Sequence, residues 1–230
     1  MTPIVKCERL SKLYENGKGI KEFDVSIPRG KIVGILGSNG SGKSTFIKLI
    51  NGLLNPTKGK ILIDGMKLGI DTKKIISYLP ERNSLYLWMK VKELVRFYSD
   101  FFEDFNEEKA IKMIETLNID KEAKLKTLSK GNREKIQLVL TMARKAKLYC
   151  LDEPIGGVDP AAREFIVETI LNNYNKEATL LISTHMISDI ESILDYCIFI
   201  KDGEILKTIS VEEIKNERIS VDEFFRRMYR

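Results

Sequence analysis

The stretch GSNGSGKST, Gly37 to Thr45, combines glycines, hydroxyls and one lysine in the order needed to cradle a phosphate. It fits G-x-x-x-x-G-K-[ST] at Gly37, Gly42, Lys43 and Ser44, directly after the apolar run Ile32 to Leu36 and before the apolar helix start Phe46, Ile47, Leu49 and Ile50. In that strand, loop and helix setting, glycines let backbone N–H groups close around phosphate oxygens, and the helix N-terminus adds positive potential. Lys43 reaches toward the β and γ phosphates of a nucleotide, and the Ser44 hydroxyl is a ligand for Mg²⁺. The loop residues Gly37, Ser38, Asn39, Gly40, Ser41, Gly42, Lys43, Ser44 and Thr45 are thus candidate nucleotide ligands. Such a loop alone does not separate a kinase, a GTPase and a motor ATPase.

A second cluster lies in LYCLDEP, where Asp152 and Glu153 follow four largely apolar residues that read as a buried strand. Ligands of open α/β sheets gather at the C-terminal strand ends, where the phosphate loop also lies. Asp152 is suited to hold Mg²⁺, directly or through water, and Glu153 to orient or deprotonate an attacking water. Adjacent carboxylates at a strand end otherwise read as a solvated turn.

These groups need a scaffold that brings strand ends together. The β-rich runs KIVGILG, KILIDG, KIISYLP, KLYCLDEP, ATLLIST and YCIFIKDG alternate with segments of helical period, which predicts an α/β sheet core. Between Arg82 and Lys147 the strand signal disappears, and VKELVRFYSDFF, NEEKAIKMIETLNI and SKGNREKIQLVLTMARKA carry helical patterns. We read residues 1–230 as one domain, with 1–81 and 148–230 forming the α/β core and 82–147 an inserted helical lobe. A chain of 230 residues with 43% hydrophobic content buries an adequate core without staples.

Composition narrows the function classes. The three cysteines, Cys7, Cys150 and Cys197, are far apart and form no CxxC or Cys/His cluster, which argues against a disulfide framework or a zinc site. The start of the chain has no signal-peptide apolar region, and no later apolar run approaches the ~18 residues needed to span a bilayer. A net charge of +5 is spread over 38 basic and 33 acidic residues without a long basic block, so no nucleic-acid partner is expected.

In order and spacing, these motifs resemble the nucleotide-binding subunit of an ABC (ATP-binding cassette) transporter over essentially the whole chain. LSKGN, Leu128 to Asn132, resembles the LSGGQ signature of that family, with Lys130 and Asn132 departing from its commonest form. The resemblance implies that Ser129 and Gly131 contact the γ-phosphate of ATP bound to another subunit. GGVDP, Gly156 to Pro160, resembles the D-loop, with Asp159 communicating across a dimer. STHMISDIE resembles the switch segment, with His185 as a γ-phosphate sensor alongside Glu153. Tyr14 in LSKLY resembles the aromatic residue on which adenine stacks, although strand packing is its ordinary use. Glu81 in YLPE stands where many members carry a Mg²⁺-binding glutamine; it reads either as an oxygen ligand or as a solvated glutamate beside a proline turn.

The same resemblance implies a P-loop NTPase cassette, ATP and Mg²⁺ as cofactors, and hydrolysis that closes and reopens a head-to-tail pair of cassettes. One cassette without a membrane span implies separate integral-membrane permease subunits and a place at the cytoplasmic face of the membrane. YLPE with LSKGN is more similar to bacterial exporters of drugs, peptides or lipids than to nutrient importers. The alternative is an ABC ATPase acting in DNA maintenance or translation, but such relatives usually carry a long coiled coil or two cassettes, and this chain shows neither. The apolar cluster Leu85, Tyr86, Leu87, Trp88 and Met89 reads either as part of a permease-docking groove or as packing inside the lobe.

Overall fold

The computed structural model describes residues 2–229, apart from the side chains of residues 161 and 162. Two sheets organise it. The larger is built from β3 (Ile32–Leu36), β6 (Ile76–Leu79), β7 (Leu148–Asp152), β8 (Thr179–Thr184), β9 (Tyr196–Lys201) and β10 (Glu204–Ser210). Its order is β10-β9-β3-β8-β7-β6, parallel except for the antiparallel edge strand β10. Every residue of β3, β7 and β8 is buried, which explains why these segments read as continuous apolar runs rather than alternating ones. Side chains alternate across the sheet, so each face packs its own core: Leu36, Leu151 and Phe199 on one, Val33, Ile35, Cys150 and Ile198 on the other.

The smaller sheet is antiparallel, in the order β2-β1-β4-β5, from β1 (Val5–Leu13), β2 (Gly19–Ile27), β4 (Lys58–Ile63) and β5 (Met66–Lys67). KILIDG therefore forms a strand, but in this second sheet. The sequence reading did not single out β1 and β2 because their buried positions are interrupted: β1 shifts register between Cys7 and Leu10, and Arg9 there has φ 46°. Helix α1 (Lys43–Ile50) lies between the sheets, burying Phe46, Ile47, Leu49 and Ile50. A short helix, α2 (Ile70–Ile75), precedes β6.

Between β6 and β7 the chain forms α3 (Val91–Phe101), α4 (Glu107–Thr116) and α5 (Lys130–Met142), which share a separate core around Val91, Leu94, Val95, Ile114, Ile136 and Leu140. Arg144 fastens the end of this segment to the larger sheet. Its buried guanidinium donates to the Ile76 carbonyl at 2.6 Å, to the Lys74 carbonyl at 2.8 Å and to Asp104 at 2.8 Å, and it lies over the Phe102 ring at 4.0 Å. Three polar partners and a ring compensate its burial. Helix α6 (Pro160–Asn173) follows β7; α7 (Val211–Asn216) and α8 (Val221–Tyr229) follow β10. The Ser220 side chain caps α8 by accepting the Glu223 N–H at 3.0 Å, and Phe224 and Phe225 pack on Phe199, so this amphipathic helix turns its aromatic face to the core.

Candidate functional site

The phosphate loop leaves β3 and enters α1 through Gly42, which takes φ 113° at the helix N-cap, a conformation that strains any residue with a Cβ. Gly37 is required for a different reason: a Cβ there would come within 2.4 Å of the Ile200 carbonyl and 2.5 Å of the Ser41 hydroxyl. Inside the loop, Lys43 is only 5% exposed, and its ammonium donates to the carbonyls of Gly37 at 2.9 Å and Ser38 at 3.2 Å. It also lies 3.2 Å from Glu153 Oε1.

Asp152, at the end of β7, is 1% exposed. Its Oδ1 accepts the hydroxyls of Ser44 at 2.9 Å and Ser183 at 2.7 Å, while Oδ2 is buried with no hydrogen-bond partner. Burial raises the Asp152 carboxyl above its ordinary 3.8, the two hydroxyls pull it back, and the nearby Glu81 charge pushes it further up. A buried orphaned carboxylate oxygen beside a serine hydroxyl fits a hard cation that takes its other ligands from water and phosphate. Among the described residues no group of three or more His, Cys, Asp or Glu forms a metal cage by itself. Ser44 and Asp152 thus suit Mg²⁺ of that partly hydrated kind.

Glu153 sits one residue beyond the strand at φ 49°, in the left-handed region that a side chain rarely adopts. The strain is held by its N–H, which donates to both the carbonyl and the hydroxyl of Ser183, at 3.1 and 3.0 Å. The side chain consequently turns toward the loop, with Oε2 3.0 Å from His185 Nδ1 and Oε1 on Lys43. His185 follows β8 directly, so the parallel neighbours β3, β8 and β7 deliver Lys43, His185 and Glu153 to one point.

A cavity of about 810 Å³ opens over this point, within the range for a small-molecule site. Its lining includes Asn39, Gly40, Gly42, Lys43, Ser44, Thr45, Glu153 and His185, together with Tyr14 and Glu81. Gly37, Ser38 and Ser41 do not line it. Tyr14 is 41% exposed at its edge, with its hydroxyl 3.5 Å from that of Thr45. Ser129 and Gly131 also lie off the cavity of their own chain, on the exposed start of α5, where Ser129 accepts the Asn132 N–H at 3.2 Å as the N-cap. Lys130 and Glu134 reach the rim. Asp159 is exposed on the turn before α6, its carbonyl accepting the Arg163 N–H at 3.1 Å. Sequence reasoning missed Ser183, which holds both Asp152 and Glu153; its place two residues before His185 at a strand end was the available signal.

The family model described as ABC transporter matches residues 20–156, more than half of the chain. The chain belongs to the ABC transporter family. It is 28% identical over 225 residues to the ABC transporter ATP-binding protein YtrB of Bacillus subtilis, spanning 96% of this chain and 77% of that one. The SkfA peptide export ATP-binding protein SkfE, also of Bacillus subtilis, is 28% identical over 220 residues, covering 93% and 92% of the two chains. A solved ATP-binding subunit of an ABC transporter superposes with a TM-score of 0.88 at 26% identity, over 99% of this chain and all of that one.

As a member of this family the chain is an ATP-binding, ATP-hydrolysing subunit of a transporter with the P-loop NTPase fold. No helix among the described residues is long and apolar enough to cross a membrane.

The buried Asp152 carboxylate generates a stability prediction. Because its folded-state pKa is raised, the folded state binds the proton more tightly than the unfolded one, and the charge destabilises the nucleotide-free fold above the folded pKa. Asp152→Asn should therefore raise the melting temperature at pH 7. The gain should shrink as pH falls through the raised pKa and vanish below 3.8. Scanning calorimetry checks this, and a variant no more stable than the parent at pH 7 contradicts the cost assigned to the charge.

Proposed function

We propose that this chain powers an exporter of a drug, peptide or lipid by ATP-driven closure of a head-to-tail pair of cassettes, docked on separate integral-membrane permease subunits at the cytoplasmic face of the membrane. The observation that carries the reading is the single carboxylate, Glu153, held between Lys43 and His185 at the floor of the phosphate-loop cavity. In this reading Lys43 binds the β and γ phosphates, Glu153 takes the proton of the attacking water, and His185 contacts the γ-phosphate. Tyr14, exposed at the cavity edge, stacks on adenine. Ser44, Asp152 and, more remotely, Glu81 would hold Mg²⁺, which when bound neutralises phosphate charge.

The pairing of cassettes draws support from α5. Its N-terminus is exposed, carries no acidic residue in the first turn, and presents Ser129 and Gly131 away from their own cavity, free to meet a phosphate held by a second cassette. Asp159, exposed on the turn before α6, would face the same interface. The export direction draws support from the likeness to a peptide-export ATP-binding protein. We assign residues 82–147 as the lobe that meets the permease. Within it Leu85 and Met89 are buried, whereas Tyr86, Leu87 and Trp88 are exposed, Trp88 at 70%. Tyr86 continues into Phe97, and Phe97 into Phe101, with ring centroids 5.8 and 4.6 Å apart. Such an aromatic patch suits the centre of a protein interface.

Glu153→Gln should bind MgATP yet hydrolyse it at least about 100-fold more slowly, since an amide keeps the shape but takes no proton from water. ATP should then hold two chains together. Sedimentation and single-turnover hydrolysis check both points; wild-type turnover sinks the base assignment, and a monomer at saturating MgATP sinks the paired cassettes.

Replacing Tyr86 and Trp88 together by Ala should weaken co-purification with the permease by about tenfold or more, as expected for interface aromatics, while ATP affinity stays unchanged. Full permease association by the double variant would remove the docking assignment and leave the ATPase reading intact.

A further inference from the structure

The guanidinium of Arg163, near the start of α6, joins two segments that reach the site separately. Its Nε donates to the Val158 carbonyl at 2.9 Å, in the turn that leads from Glu153 into α6. Its Nη1 donates to Asp189 Oδ2 at 3.0 Å, in the short helical turn Ile187–Asp189 that follows His185. Because Glu153 Oε2 lies 3.0 Å from His185 Nδ1, these contacts close a circuit from the carboxylate through the turn, Arg163, Asp189 and the histidine back to the carboxylate. We propose that Arg163 is a positioning residue for hydrolysis: by clasping the Val158 carbonyl and Asp189 together, it fixes the turn after Glu153 against the segment after His185 and keeps the histidine on the carboxylate. The proposal rests on the roles given to Glu153 and His185 above.

The clasp acts through geometry more than through charge. The side chains of Arg163 and Asp189 are 24% and 28% exposed, and Coulomb attraction at that exposure contributes little by itself. A planar guanidinium, however, holds two acceptors at fixed angles, which a lysine ammonium does not. The Arg163 backbone N–H also donates to the Asp159 carbonyl at 3.1 Å, so one residue grips the turn at two successive carbonyls. Both segments are anchored away from the clasp. Ile187 and Ile190 are buried in the core on one face of the larger sheet, and the Gly156 N–H donates to the Glu153 carbonyl at 3.0 Å. Beyond those anchors the turn is exposed at Gly157, with φ 70°, and at Asp159. His185 is exposed as well, so packing does little to hold its ring, and the placement of its backbone decides whether it meets Glu153.

The test uses Arg163→Met and Asp189→Asn in the full chain, each removing one side of the clasp. Turnover at saturating MgATP should fall about tenfold in Arg163→Met and about threefold or more in Asp189→Asn, while affinity for a fluorescent MgATP analogue stays within about twofold. The double variant should lose no more than Arg163→Met, because the two substitutions break a shared contact. Arg163→Lys, which keeps the charge without the fork, should restore little of the turnover. His185 is the only histidine in the chain, so its imidazole NMR signals are unambiguous, and they should shift in both single variants. Wild-type turnover in both, or unshifted His185 signals, would overturn the proposal. So would a loss of turnover accounted for by weaker ATP affinity or a smaller folded fraction, which would mark Arg163 as a structural residue only. Should Arg163→Met not fold, Asp189→Asn decides by the same two readings. Glu153→Gln separates this proposal from the mechanism beneath it: if that variant is slow while the Arg163 and Asp189 variants turn over normally, the clasp alone is wrong.

Discussion

Lys43 and Glu153 bury opposite charges against each other 3.2 Å apart, Lys43 at 5% exposure, and much of the site geometry follows from keeping that pair together. Either charge alone in this position would be costly, because removing one partner of a buried pair leaves the other desolvated and uncompensated. The pair therefore demands that the first residue of α1 and the residue just beyond β7 arrive at one point, although 110 positions separate them (153 − 43). The sheet order satisfies this by placing β8 between β3 and β7. From that middle strand Ser183 binds Asp152 and the backbone of Glu153, and the chain continues directly into His185.

The arrangement is held under tension. Glu153 keeps a left-handed backbone, Asp152 leaves one buried oxygen without a partner, and the Lys43 ammonium is turned onto the loop's own carbonyls. The first two depart from what stability alone would favour, and all three converge on the place where phosphate oxygens would arrive. In the proposed mechanism the phosphates of a nucleotide would compete with Glu153 for Lys43, and that exchange of anions would leave the carboxylate to the water and to His185. On that proposal the binding step and the poising of the base would be linked through one lysine.

Much of this was legible because it depends on short, local patterns. The phosphate loop could be read from Gly37, Gly42, Lys43 and Ser44 since each is fixed by loop geometry or phosphate chemistry, and β3, β7 and β8 were readable as unbroken apolar runs. The parts that escaped depend on long-range pairing. β1 and β2 bury an irregular set of residues because of a register shift near Arg9, so neither shows a clean alternation. Ser183 looks like any small strand residue until β8 is placed beside β7. The cluster from Leu85 to Met89 could not be divided from sequence because apolarity does not reveal which side chains a turn exposes; the fold buries its ends and exposes its middle.

The central claim is that the buried Lys43 ammonium is held in reserve for the β and γ phosphates, with Glu153 as its partner in their absence. The direct measurement is the equilibrium affinity of Lys43→Ala for MgATP, by titration with a fluorescent analogue under conditions where the variant is shown to be folded. Affinity more than about tenfold weaker than wild type is the predicted result, since one charge-assisted contact is lost and Glu153 is left uncompensated beside the phosphates. Wild-type affinity in the folded variant would contradict the account.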